Sequence, residues 1–253
     1  MASIGIMDSG VGGLSVFREI LKLLPDERYI YFSDNAWCPY GEKSVDFIRE
    51  RVRSIISLMI SKGAEAVVIA CNTATSAAAQ KLRNEFSIPI IGIEPAIKPA
   101  TKLTRNGTVG VLATAGTLKG DKYHNSKSRF GEDIRIIEHI GVGLVELVEN
   151  MELDGPHAGE VIRHNLSPLL DEGADTIVLG CTHYPFLIDT MQKIAGPDIL
   201  FLDPSAAVAR RLVEVLEEKN IGLHECKPDI ELISSGNPDS LNKIFKLIQS
   251  AGR

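Results

Sequence analysis

An α/β fold is predicted for this chain: two pseudo-symmetric domains from an internal duplication, each a mainly parallel sheet flanked by helices, with the active site in the interdomain cleft. Three observations predict it. The stretch Gly63–Thr73, GAEAVVIACNT, lies over Gly173–His183, GADTIVLGCTH. Each copy is a short, β-branched, apolar run ending in a small residue and a cysteine, which is how a buried parallel strand delivers one reactive side chain to its carboxyl end. Two further stretches repeat in the same order around the cysteine strands, Ile4–Ser9 with Val109–Thr114 and Ile90–Pro95 with Ile199–Pro204. Between these strands lie segments of helical spacing, and a unit of about a hundred residues is an ordinary domain size.

The elements follow in order. A strand over Ile4–Asp8 leads into the glycine loop Asp8–Gly13 and a helix over Ser15–Leu24. Helical spacing recurs over Val45–Lys62 and Thr75–Phe86, each followed by a turn signal or an extended run. In the second half Gly143–Met151 and Ala158–Glu172 read as helices, and Tyr184–Ile194 follows the second cysteine strand. A helix over Ser205–Glu218, a strand over Asp229–Ser234 and a last helix complete the chain. This tail has no counterpart in the first unit, so it crosses back to complete the first domain. The expected domains are therefore 1–95 with 205–253, and 96–204. Ligands of such folds gather beyond the carboxyl ends of the strands, where the cysteines and their polar neighbours fall.

Composition excludes some classes. With 253 residues and 44% apolar content the chain can bury a core in each half. A net charge of −6 with no basic run argues against a nucleic-acid partner. No apolar stretch approaches the roughly eighteen residues of a membrane span, and no signal-peptide pattern follows Met1. A cytoplasmic protein with reduced cysteines is expected.

The glycine loop invites a dinucleotide reading that its spacing rejects: Ser15 stands where the third glycine of GxGxxG belongs, and the Walker lysine is absent. What remains is a carboxylate and a hydroxyl, Asp8 and Ser9, at a strand tip. They are followed by backbone amides that either hold an anion or merely turn the chain into a helix.

The ordinary reading of a lone cysteine is a small buried hydrophobe, and it stands for Cys38 and Cys226. Cys71 and Cys181 differ, because each is duplicated and followed by polar residues, Asn72 and Thr73 after one and Thr182 and His183 after the other. Zinc is disfavoured, since CxH is not a usual pairing and no second close-spaced pair exists. A disulfide is disfavoured by the compartment. Two like thiols on related halves suit the inversion of a stereocentre: one base removes the α-hydrogen from one face, and a conjugate acid returns a proton to the other. A free thiol is mostly protonated at neutral pH, so Asp8 and His183 are candidates to tune it. Ser9, Asn72, Thr73, Thr114, Thr117 and Thr182 can donate hydrogen bonds to a substrate carboxylate.

These residues resemble the cofactor-independent glutamate racemases of the aspartate/glutamate racemase group. The resemblance rests on six ordered motifs: DSGVGGLSV at Asp8–Val16, CPYG at Cys38–Gly41, CNTATS at Cys71–Ser76, GIEPAIKPA at Gly92–Ala100, ATAGTLKG at Ala113–Gly120 and GCTHYP at Gly180–Pro185. It implies that Cys71 and Cys181 are the acid/base pair, assisted by Asp8 and His183 respectively. It also implies that Asp8, Ser9, Tyr40, Gly41, Asn72, Thr73, Thr114, Thr117, Thr182 and His183 line a glutamate site. No cofactor and no metal are implied, the chain is expected to form homodimers, and the product D-glutamate is expected to supply peptidoglycan. Two departures touch the pocket edge and dimer contacts: Trp37 stands where the family often has arginine, and Ile140–Val142 replaces a loop that often carries Cys and Pro. Glu149 corresponds to a family carboxylate near the histidine. Three alternatives stay open on the sequence: the same chemistry on aspartate, a thiol redox enzyme, and a non-catalytic binding protein of the same fold.

Overall fold

The computed structural model describes residues 3–221 and 229–251, so Cys226 lies outside the described residues. The first half runs β1 (Ser3–Asp8), α1 (Leu14–Leu23), β2 (Arg28–Ser33), α2 (Val45–Ser61), β3 (Ala64–Ile69), α3 (Asn72–Ala74), a π-helical turn (Thr75–Ala79), α4 (Gln80–Glu85) and β4 (Ile90–Gly92). The second runs α5 (Ile97–Leu103), β5 (Thr108–Ala113), α6 (Ala115–Leu118), α7 (Asp121–Phe130), β6 (Arg135–Ile140), α8 (Leu144–Glu149), α9 (Gly155–Asp171), β7 (Thr176–Gly180), α10 (Ile188–Ala195) and β8 (Leu200–Leu202). The tail supplies α11 (Ser205–Glu218), β9 (Asp229–Ser234) and α12 (Asp239–Ala251). Among the described residues no helix is long and apolar enough to cross a membrane.

The strands form two wholly parallel sheets, ordered β4-β3-β1-β2-β9 and β8-β7-β5-β6. The four shared positions correspond one to one, and β9 is the addition, paired with β2. Helices cover both faces, so the inner strands are mainly apolar and buried: every residue of β1 and β7 is buried. The edge strand β9 is only half-buried. Helix α2 shows the complementary helical logic. Ser44 caps it by accepting from the Phe47 amide at 3.3 Å, and Ile48, Val52, Ile55, Ile56 and Met59 form its buried stripe. The turn into β3 is made by Gly63 at φ +96°, a conformation that costs glycine nothing.

The sheets share one apolar core, in which Ile4, Leu14 and Phe17 from the first half join Leu144, Leu166 and Ile177 from the second. This shared packing holds the carboxyl ends of β1 and β3 against those of β5 and β7. Parallel pairing puts Asp8 beside Cys71 in the first sheet, where the Ala70 amide donates to the Met7 carbonyl at 2.9 Å.

Where the helix of the first cysteine motif was expected over Thr75–Phe86, the chain enters helix at Asn72, passes through the π-helical turn and leaves at Glu85. The Thr75 hydroxyl is the pin: it donates to the Ile69 carbonyl at 3.0 Å and accepts from the Ile93 amide at 3.2 Å, tying the turn to β3 and the segment after β4. Such widened turns recur at functional sites.

Candidate active site

The carboxyl ends of β1, β3, β5 and β7 converge on one cavity. It is lined by Ser9, Tyr40, Gly41, Cys71, Asn72, Thr73, Thr114, Cys181, Thr182 and His183, with Pro39 and Val145. Every residue expected to line the glutamate site is thus brought to this wall except Asp8 and Thr117, which hydrogen-bond to wall residues from behind it. The cavity measures about 10 Å³, at the threshold for one water molecule. A larger ligand enters only if the two sides part.

Cys71 caps the helix that follows β3. Its Sγ accepts from the Ala74 amide at 3.4 Å and lies 3.6 Å from the Ser9 hydroxyl. Both contacts favour thiolate, but burial, and after it the charge of Asp8, push the thiol up to about 12. Cys71 therefore rests as a protonated thiol in the closed cavity.

Cys181 sits in a different environment. Its Sγ is 3.7 Å from His183 Nδ1, and His183 Nε2 is 2.7 Å from Glu149 Oε1. Burial works against a charged imidazole, yet the acceptors Cys181, Cys38 and Glu149 outweigh it, and His183 holds its proton well above the ordinary histidine range. Glu149 is pushed up by its own burial, but His183 prevails and its carboxyl lies below the ordinary value. The row Glu149, His183, Cys181 is a carboxylate orienting an imidazole against a thiol, the arrangement by which a cysteine sheds and regains a proton.

Asp8 is fully buried, and burial raises its carboxyl against the opposing pull of His183. One oxygen accepts from the Gly10 amide at 2.9 Å and the other from the Thr182 hydroxyl at 3.0 Å, across the cleft. Both oxygens are engaged, and through Thr182 the carboxylate joins the two sides.

Opposite, three hydroxyls form a cluster: Thr73 to Thr114 at 2.8 Å, Thr114 to Thr117 at 3.0 Å and Thr73 to Thr117 at 3.4 Å. Asn72 is buried with neither side-chain atom hydrogen-bonded, although it lines the cavity. A buried amide without partners is costly and points to a ligand that completes it. Tyr40 contributes its ring and backbone to the wall, because its hydroxyl turns away to Asp34 Oδ2 at 2.5 Å, an oxygen that also accepts from Arg51 Nε at 3.0 Å.

The glycine loop is resolved by its partners. The Gly10 amide is taken by Asp8 and the Val11 amide by Glu149 at 2.8 Å, so the anions it holds belong to the chain itself. Its glycines permit close approach: a Cβ on Gly12 would lie 2.4 Å from His183 Nδ1, and one on Gly10 would lie 1.9 Å from Glu149 Oε1.

Cys38 departs from the ordinary reading given to it. It is only partly buried, and its thiol lies 3.7 Å from Glu149 Oε1. Burial pushes this thiol up to about 11. The ligand atoms of Cys38, Glu149 and His183 all lie within 4.8 Å of one another, a trio of metal-ligand type that no spacing in the sequence reveals. Of the two departures from the family pattern, Trp37 packs edge-on against Phe47 with the Arg51 guanidinium 5.9 Å from its ring, and Ile140 and Val142 are exposed.

Residues 4–212 match the family described as Asp/Glu/Hydantoin racemase. The chain is 45% identical over 248 residues to the glutamate racemase of Roseiflexus sp. (strain RS-1), with 96% of this chain and 91% of that one covered. Among solved structures it resembles glutamate racemase isoform RacE1 from Bacillus anthracis, with a TM-score of 0.88, 33% identity, and 98% of this chain and 94% of that one covered. It also resembles Escherichia coli glutamate racemase in complex with L-glutamate and the activator UDP-MurNAc-ala, with a TM-score of 0.86, 36% identity, and 98% and 95% covered.

Proposed function

The chain belongs to the Asp/Glu/hydantoin racemase family, and on that premise we propose that it interconverts L- and D-glutamate by a two-base proton transfer at Cα, with Cys71 and Cys181 as the bases. It is an amino-acid racemase, an isomerase. The observation that carries the mechanism is that two thiols, each at the end of an equivalent strand in one of two related sheets, line the same cavity.

In one direction the thiolate of one cysteine takes the α-hydrogen, and the electron pair left on Cα spreads into the substrate carboxylate. The thiol of the other cysteine then delivers its proton to the opposite face. The reverse reaction exchanges the two roles. Substrate charge is met by Asn72, whose Nδ2 is free to donate to the carboxylate and whose Oδ1 is free to accept from the ammonium, and by the Thr73, Thr114 and Thr117 hydroxyls. At Cys181 the proton is exchanged with His183, which Glu149 orients; at Cys71 the Ser9 hydroxyl and the Ala74 amide support the thiolate when it forms. Asp8 sets the field at Cys71 and holds Thr182 in register. Once the two sides close again over the substrate, exclusion of water strengthens each of these contacts. No step of this scheme calls on a cofactor.

The sheet membership of β9 supports domains of 1–95 with 205–253 and of 96–204. From the family resemblance of the six sequence motifs we infer, further, a cytoplasmic homodimer that provides D-glutamate for peptidoglycan. The test is the circular dichroism of L-glutamate, and separately of L-aspartate, followed over time with purified protein and reductant but no pyridoxal phosphate or metal. Decay of the glutamate signal to zero is the expected result. Decay of aspartate alone would change the substrate, and decay of neither would overturn the reading.

A further inference from the structure

The catalytic cavity closes only one side of the His183–Glu149 pair. On the other lies a separate solvent-facing pocket of about 520 Å³, lined among others by Cys38, Glu149, Met151, Asn237 and Lys243. Cys38 and Glu149 are thus reachable from water without passing the two catalytic thiols. We propose that Cys38, Glu149 and His183 form a transition-metal site, suited to Zn²⁺, whose occupation arrests the racemase.

The donor set is one thiolate, one carboxylate and one imidazole, which matches zinc and excludes hard cations such as Mg²⁺. In tetrahedral zinc geometry a sulfur and an oxygen ligand stand about 3.5 Å apart and a nitrogen and an oxygen about 3.3 Å. Cys38 Sγ and Glu149 Oε1 are already 3.7 Å apart, and His183 Nε2 has to withdraw from its 2.7 Å hydrogen bond by only a fraction of an ångström. Water from the pocket would complete the fourth position. Outer contacts exist as well: the Val11 amide donates to the same Glu149 oxygen at 2.8 Å, and Gly10 keeps the meeting point clear, since a Cβ there would stand 3.0 Å from Cys38 Sγ.

The consequence for the enzyme is geometric. His183 Nε2 gives up its 2.7 Å hydrogen bond to Glu149 for the metal, and Glu149 becomes a ligand instead of the carboxylate that orients the ring. The imidazole 3.7 Å from Cys181 Sγ is then held by the metal, and Cys181 loses its relay.

Binding rests on the ligand geometry alone, and arrest rests on the racemase reading, so the two are measured separately. Calorimetry of the apo protein with ZnCl₂ in a non-chelating buffer should give one tight site. Co²⁺ should give a thiolate-to-metal charge-transfer absorption in the near ultraviolet. Cys38→Ser and Cys38→Ala should each weaken Zn²⁺ by at least about tenfold and abolish that absorption, and the effect of zinc on each variant is read against that variant's own metal-free rate. Zn²⁺, and not Mg²⁺, should lower kcat of the parent and spare both variants. Zinc binding that survives both Cys38 variants would overturn the site, and its loss in Cys71→Ser instead would place the metal at the catalytic thiols. Full activity at saturating zinc would overturn the arrest.

Discussion

Asn72 offers a test in which stability and activity move in opposite directions. Its side chain is 4% exposed, and neither Nδ2 nor Oδ1 has a hydrogen-bond partner. In the unliganded protein each unpaired buried group costs roughly 1–3 kcal/mol, and Asn72→Ala removes both at the loss of a few packing contacts. The position also opens helix α3, where alanine is favoured over asparagine by about 0.5 kcal/mol. The net gain expected is about 1–2 kcal/mol, which for a chain of this size raises Tm by about 2–8 °C. With substrate the balance reverses. A hydrogen bond to a charged group is worth roughly 1.5–3 kcal/mol, so losing one raises KM by about ten- to a hundredfold. Scanning fluorimetry without and with D-glutamate, together with initial rates by circular dichroism, reads both quantities. A lower Tm combined with an unchanged KM would refute the reasoning, because it would mean that the amide serves the fold and not the ligand.

Three further outcomes are expected. Cys71→Ser and Cys181→Ser should each cut racemisation by about 10²–10⁴-fold in both directions, and full activity in either would end the two-base scheme. Gly12→Ala, whose Cβ would stand 2.4 Å from His183 Nδ1 and 2.6 Å from Thr182 Oγ1, should cost about 1–3 kcal/mol of stability and most of the activity. Gly159→Ala in α9, with nothing within 4 Å of the new Cβ, should instead stabilise by about 0.5–1 kcal/mol, and equal effects at the two glycines would count against the close-approach argument. For pH, the folded thiol of Cys71 lies up at about 12 while the unfolded one lies near ~8.5. Between these values the unfolded chain binds fewer protons, so unfolding free energy falls with rising pH. The stability is intact below ~8.5 and declines above it by as much as about 1.4 kcal/mol per pH unit. Denaturant titrations of the parent and Cys71→Ser from pH 8 to pH 11 should diverge in that sense; parallel curves would show that Cys71 does not hold its proton.

The strands that carry the site were legible because parallel sheets covered on both faces demand unbroken apolar runs, which Ala66–Ala70 and Ile177–Gly180 are. Duplication then made the cysteines conspicuous. Helix α7 was not legible, since DKYHNSKSRF buries only Tyr123 and offers no apolar stripe. Strand β6, at the sheet edge, is half-exposed and equally faint. Within the site the limit is of another kind. Glu149 arrives on α8, where an acid reads as an ordinary solvated face, and Cys38 comes from a loop far away in the chain. Nothing local in either segment says that they meet at His183, because the meeting is made by packing one half against the other.

That difference bears on how a duplicated scaffold serves a nearly symmetric reaction. L- and D-glutamate are equal in free energy, so the proposed two-base chemistry asks for two bases of the same kind, and equivalent strand ends offer two thiols. The carboxylate and ammonium of the substrate are not related by the pseudo-symmetry, however, and neither are the surroundings of the thiols. Cys71 is held by a hydroxyl and a helix-start amide under the charge of Asp8, whereas Cys181 has an imidazole backed by a carboxylate. Of the two, only Cys181 is hydrogen-bonded to a titratable side chain, whereas Asp8 bears on Cys71 through its charge. Substitutions around the thiols should therefore act unequally: disturbing His183 or Glu149 should slow most the direction in which Cys181 is the base, and disturbing Ser9 the direction in which Cys71 is. At equilibrium the ratio of kcat/KM for the two enantiomers is fixed at one by thermodynamics, so the inequality can surface only in the separate kcat and KM values. A His183→Asn variant that scaled kcat and KM identically for both enantiomers would mean that the two thiols share one proton path and that their different surroundings are incidental.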